Sequence, residues 1–98
     1  MTRKVVFLPE ARDAILELYL YIAKRGAPNA AMAYISRLEA RCASLADFPE
    51  QGSLRDDIRP GLRLLGFERK TEIAFHVTPD KVVISGVFHG GRSLAVDD

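Results

Sequence analysis

The sequence predicts an α+β fold: a strand, an antiparallel helical hairpin, and a three-stranded antiparallel meander completing one sheet. Three observations carry this. Two consecutive stretches repeat apolar residues with the helical period and are separated only by Gly26-Ala27-Pro28. From residue 62 the texture changes to strand-like runs divided by short turns. A short apolar run, rich in β-branched residues, precedes Pro9.

Residues Lys4 to Leu8 read as the first strand, ended by Pro9. Proline suits the first turn of a helix, where its missing N–H would be unpaired anyway, and Glu10 and Asp13 put negative charge near the positive end of the helix dipole. Lys24 and Arg25 complement the other end. Ala11, Ile15, Leu18 and Ile22 recur at spacings of four, three and four, the stripe of a helix facing a core. Leu16, Tyr19, Leu20 and Ala23 make the helix more apolar than one buried face requires, through dense packing or a partner surface.

Gly26 ends this helix and Pro28 starts the next, so the two are antiparallel neighbours. Ala31, Ile35, Leu38, Cys42 and Leu45 form the second stripe, with Arg37, Glu39, Arg41 and Ser44 mainly opposite. The second helix is expected to stop near Phe48-Pro49, and Glu50 to Gly61, aperiodic and rich in Gly, Pro and charge, reads as a loop. Strands follow at Leu62 to Phe67, Thr71 to Thr78 and Lys81 to His89, joined by turns at Glu68 to Lys70 and Pro79-Asp80. In the middle strand Ile73, Phe75 and Val77 alternate with Glu72, Ala74 and His76, and the first set should face the hairpin. The last strand places Val82, Ile84 and Phe88 against Val83 and Val87, apolar on both faces as in a strand inside the sheet.

Ninety-eight residues support one core, so one domain is expected over 1–98, with function at its surface rather than in a deep cavity. An apolar fraction of 48% and a charged fraction of 28% describe a folded chain, not a disordered one. The net charge of +1, with basic residues spread along the chain, excludes a basic nucleic-acid-binding tail. A single cysteine excludes an internal disulfide and suits a reducing compartment, and its phase suggests a buried thiol. No run approaches the ~18 apolar residues of a membrane span, so a cytoplasmic protein without a membrane partner is expected. There is no phosphate-binding glycine loop, nucleophile elbow or zinc spacing, so neither cofactor nor metal is expected.

Several segments resemble the RelE/ParE toxin superfamily, and its ParE branch in particular. Leu8-Pro9-Glu10-Ala11 through Asp13 to Tyr19 is similar to the family's opening, and Leu45-Ala46-Asp47-Phe48-Pro49 with Gly52 to its helix exit. Gly61-Leu62-Arg63 with Val83 to Arg92, which includes Val87-Phe88-His89-Gly90-Gly91-Arg92, is similar to the family's ending. The resemblance implies the toxin of a two-gene type II toxin–antitoxin module of the kind that stabilises plasmids. It also implies a hetero-oligomer with a ParD-like antitoxin, touching DNA only through that antitoxin. ParE members are known for poisoning DNA gyrase, and RelE members for cutting messenger RNA on the ribosome.

Cutting RNA requires a base, an acid and cations against the phosphate charge. The tail after Arg92 has no Tyr, His or Lys and ends in Asp97-Asp98, and the middle strand carries Thr71, Glu72, Phe75 and His76 where relatives often carry Tyr and Arg. A gyrase-binding inhibitor without catalytic residues is therefore the leading expectation. The alternatives are a ribosome-dependent ribonuclease built on His76, His89 and Arg92, or a non-toxic antitoxin-bound regulator. Arg63, Arg69, Lys70, His89 and Arg92 are the expected target contacts, and Leu16, Tyr19, Leu20 and Ala23 the expected antitoxin face. The plain reading of the same residues is solvated turn charges at Arg69 and Lys70, a strand-capping His89, a surface His76, and Arg92 paired with Asp97 or Asp98. Glu68 and Glu72 need not converge, and no metal is assigned to them.

Overall fold

In the computed structural model, residues 2–90 are described. The elements are β1 (Lys4–Phe7), α1 (Pro9–Arg25), α2 (Pro28–Ser44), β2 (Ser53–Leu54), β3 (Arg63–Phe67), β4 (Thr71–Val77) and β5 (Lys81–His89). They form a five-stranded sheet in the order β1-β5-β4-β3-β2. Every pairing is antiparallel except β1 with β5, where Val5 lies beside Val82 and Phe7 beside Ile84. β5 is thus an inner strand, as its two apolar faces predict. The parallel pairing requires a crossover, and the hairpin α1–α2 lies within it.

Both helices begin on proline, and α1 ends as the sequence indicates, with Lys24 and Arg25 in its last turn. α2 stops at Ser44, four residues before Phe48. There the Ser44 hydroxyl donates to the Arg41 carbonyl at 2.6 Å, and Arg41 Nη1 donates back to Ser44 Oγ at 3.0 Å. A carbonyl engaged by a side chain no longer holds the next helical turn.

Three further features depart from the sequence reading. First, residues 50–61 are not wholly loop, because Ser53 and Leu54 pair with Leu64 and Arg63. Gly52 makes this approach possible: its φ is +75°, and a Cβ there would stand 2.4 Å from the Leu64 carbonyl oxygen. A two-residue strand is too short to show any period.

Second, β5 bulges at Ser85. Ala74 pairs with Gly86 and Phe75 with Ile84, so Ser85 is an extra residue, and its hydroxyl donates to the Ala74 carbonyl at 3.2 Å. One inserted residue reverses the faces beyond it. Val87 therefore joins Val82 and Ile84 in the main core, while Phe88 turns to the opposite face, the reverse of the even alternation expected for these residues.

Third, the outer face of the sheet is not simply polar. Leu62, Leu64 and Ala74 are buried there, with Ile58 and Phe88 packed against them. The segment around Ile58 folds over that face, held by the Arg55 N–H to the Leu62 carbonyl at 2.7 Å. The main core lies on the helix side, where Ile15, Leu18, Ile35, Leu38 and Cys42 meet Ile73, Phe75 and Ile84.

Candidate binding surfaces

The hairpin joining β3 to β4 closes with Phe67 opposite Thr71, leaving Glu68, Arg69 and Lys70 as its turn. Glu68 has φ 53°, a left-handed conformation that costs a non-glycine residue about 1 kcal/mol. It is gripped by Arg37 on α2, whose Nε and Nη2 donate to its two carboxylate oxygens at 2.8 and 3.2 Å. That hydrogen-bonded fork lowers the Glu68 pKa and raises that of Arg37.

The end of β5 is tied to the same turn. Thr71 lies opposite His89, and the Gly90 N–H donates to the Lys70 carbonyl at 3.0 Å. Arg69, Lys70 and His89 are thereby brought to one end of the sheet, and Lys70 is close enough to His89 to oppose its protonation. Burial acts in the same direction and more strongly, so the His89 pKa is lowered.

His89 also lines a surface groove of about 320 Å³ with Ala14, Glu17, Leu18 and Tyr21 of α1 and Val87 of β5. The edge of its ring meets Tyr21, centroids 5.0 Å apart, and the Arg25 guanidinium lies 4.1 Å from the centre of the Tyr21 ring. Behind His89, Nδ1 is 3.3 Å from the Thr71 hydroxyl, which is 2.6 Å from the Tyr34 hydroxyl. Sequence reasoning missed Tyr21, Tyr34 and Thr71. Tyr21 had a signal, because Ala14, Leu18 and Tyr21 follow helical spacing along the flank of the α1 stripe. Tyr34 and Thr71 had none, since their partners are 37 and 18 residues away.

Other singled-out residues lie elsewhere. Arg63 is at the far end of β3, about 13 Å from Phe67 by strand rise, and donates from Nη1 to the Gln51 carbonyl at 3.2 Å. Arg92, Asp97 and Asp98 lie outside the described residues. His76 pairs with Val83 on the outer face beside Gly61, whereas His89 is on the helix face, so the two histidines share no site. Glu68 and Glu72 do not converge: Glu68 is held by Arg37, while Glu72 Oε1 is buried on the outer face without a partner among the described residues. No cluster of metal-ligating side chains occurs among the described residues, and no helix there is long and apolar enough to cross a membrane.

The α1 face divides by depth. Leu16 and Leu20 are 58% and 52% exposed, whereas Tyr19 and Ala23 are half-buried and Tyr19 packs against the main core. The two leucines, four residues apart, form one ridge on the exposed side of α1.

A family model described as the ParE toxin of the type II toxin–antitoxin system parDE matches residues 5–94. Among solved structures, a chain of the chromosomal ParDE toxin–antitoxin system of P. aeruginosa superposes with a TM-score of 0.79 at 19% identity, covering 90% of this chain and 96% of that one. A chain of the toxin–antitoxin complex RelBE2 of Mycobacterium tuberculosis gives a TM-score of 0.60 at 18% identity, covering 92% and 100% respectively. No curated protein matches the sequence.

Proposed function

This chain belongs to the ParE toxin family of type II toxin–antitoxin systems, and from that premise we propose that it binds and inhibits DNA gyrase, arresting DNA replication, until a ParD-like antitoxin neutralises it. The observation that carries the reading is the family match over residues 5–94. The site chemistry supports a binder over a nuclease. RNA cleavage needs a base and an acid in one place, and the two histidines available for it occupy opposite faces of the sheet.

Target contact is assigned to the sheet end that gathers Arg69, Lys70 and His89, with Arg92 following three residues later in the chain. Arg63, fixed on the Gln51 carbonyl, is left to hold the β2 segment in place. The antitoxin covers the α1 face of Leu16, Tyr19, Leu20 and Ala23, and the resulting hetero-oligomer meets DNA through the antitoxin alone. A partner helix laid on this face would bury the two exposed leucines, each contributing about 1.5–3 kcal/mol.

Pulse labelling after induced expression tests the target. DNA synthesis should fall first while translation continues. Early collapse of translation would transfer the reading to the ribonuclease, and no collapse with folded protein would leave an antitoxin-bound regulator. A Leu16→Glu, Leu20→Glu double variant should lose at least about 100-fold in antitoxin affinity with its melting temperature unchanged. Unchanged affinity in titration calorimetry would remove α1 from the antitoxin interface.

A further inference from the structure

Thr71 is the buried polar side chain of the core among the described residues, and its hydroxyl stands between two other titratable or hydroxylic groups. Tyr34 Oη is 2.6 Å on one side and His89 Nδ1 is 3.3 Å on the other. Each contact needs one hydrogen, and counting hydrogens selects an arrangement. If His89 Nδ1–H donated to Thr71, either Thr71 would donate to Tyr34 and leave the Tyr34 hydrogen without an acceptor among the described residues, or Thr71 would accept from both neighbours and leave its own hydrogen without one. If instead Tyr34 donates to Thr71 and Thr71 donates to a bare Nδ1, every hydrogen is used and the ring carries its own on Nε2. The first arrangement leaves a part-buried hydroxyl hydrogen without a protein acceptor among the described residues, which favours the second.

We propose that Tyr34 and Thr71 are positioning residues that hold His89 as the neutral Nε2–H tautomer, so that this end of the sheet offers a hydrogen-bond donor to an acceptor oxygen on its ligand. The groups facing the ring are consistent with this. Lys70 in the turn opposes a second proton on it, Tyr21 of α1 meets it edge-on with Arg25 stacked beyond, and Glu17 lines the same groove. Protonation would place a hydrogen on Nδ1 and force Thr71 to reverse, so the arrangement is lost as pH falls. That the ligand is the toxin's target rests on the reading above; the tautomer does not.

The test is a long-range proton–nitrogen correlation spectrum of the ¹⁵N-labelled full chain at neutral pH, with His76→Gln used to assign the two rings. His89 should show a pyridine-like Nδ1 and a pyrrole-like Nε2. Thr71→Ser should keep that pattern, and Thr71→Val should replace it with a mixture of tautomers. A pyrrole-like Nδ1 in the wild-type spectrum overturns the proposal, whether or not the valine variant folds, and so does an unchanged spectrum in folded Thr71→Val. A gyrase supercoiling assay separates the two layers. Thr71→Val should inhibit about tenfold more weakly than Thr71→Ser, the worth of one hydrogen bond. Equal inhibition by both, with the expected spectra, overturns the role of His89 toward the target and leaves the tautomer standing. Loss of inhibition in every variant, wild type included, overturns the gyrase reading itself.

Discussion

Cys42 shows how burial sets the chemistry of a single residue. Its side chain is fully enclosed in the main core, and loss of hydration pushes the thiol up to about 12, with Glu39 adding to the effect and Arg41 opposing it. The folded chain therefore holds this proton more tightly than the unfolded one, so stability is complete below pH 9 and declines as pH rises from there toward 12. A chemical-denaturation series from pH 7 to 11 should show that decline, and Cys42→Ala should flatten it while lowering stability throughout. Native Cys42 should also resist alkylation at pH 8, reacting only after denaturation. Gly52 carries the opposite kind of constraint, because any side chain there meets backbone. Gly52→Ala combines a left-handed φ with a Cβ 2.4 Å from the Leu64 oxygen, so a loss of about 2 kcal/mol, or roughly 10 °C in melting temperature, is expected. The burial of Cys42 was legible because it continues the stripe from Ala31 to Leu45. The constraint on Gly52 was not, because nothing near it in sequence indicates that β3 passes so close.

At the scale of elements, local pattern was enough for α1, the start and buried face of α2, β4 and the limits of β5. Each has a repeat several residues long, and proline marks the start of both helices. It was not enough for the Ser85 bulge, because β5 is apolar on both faces and a one-residue shift leaves its pattern equally plausible. The consequence for the candidate site is large, since the bulge sets the side of the sheet on which His89 emerges. Deleting Ser85 would remove the extra residue and let Gly86 follow Ile84 in regular alternation, so Val87 and His89 would stay on the helix side and Phe88 on the outer face. Such a variant should keep the Tyr21–His89 and Thr71–His89 contacts together. Near-ultraviolet circular dichroism from the tyrosines should therefore match the wild type, and its loss with far-ultraviolet signal kept would contradict this register. The five candidate target residues illustrate the same limit. Sequence could nominate them by charge and position, but the pairing of β3, β4 and β5 is what groups Arg69, Lys70 and His89 and sets Arg63 apart.

Across the whole molecule, one sheet serves two cores of unequal size. The helices cover one face, and the segment carrying Ile58 covers a smaller area of the other. The strand at one edge, β1, pairs with β5, with Lys4 beside Lys81 and Phe7 beside Ile84, so the first strand made is completed by the last. Contacts so distant along the chain slow folding, because a long loop must close before they form. On a ribosome, synthesis proceeds at roughly 5–20 residues per second, and nothing translated before residue 81 offers β1 its partner. A nonsense codon anywhere upstream of β5 would yield a chain with an open sheet and no His89. If this sheet end is the target contact proposed above, interrupted translation releases only fragments that lack it.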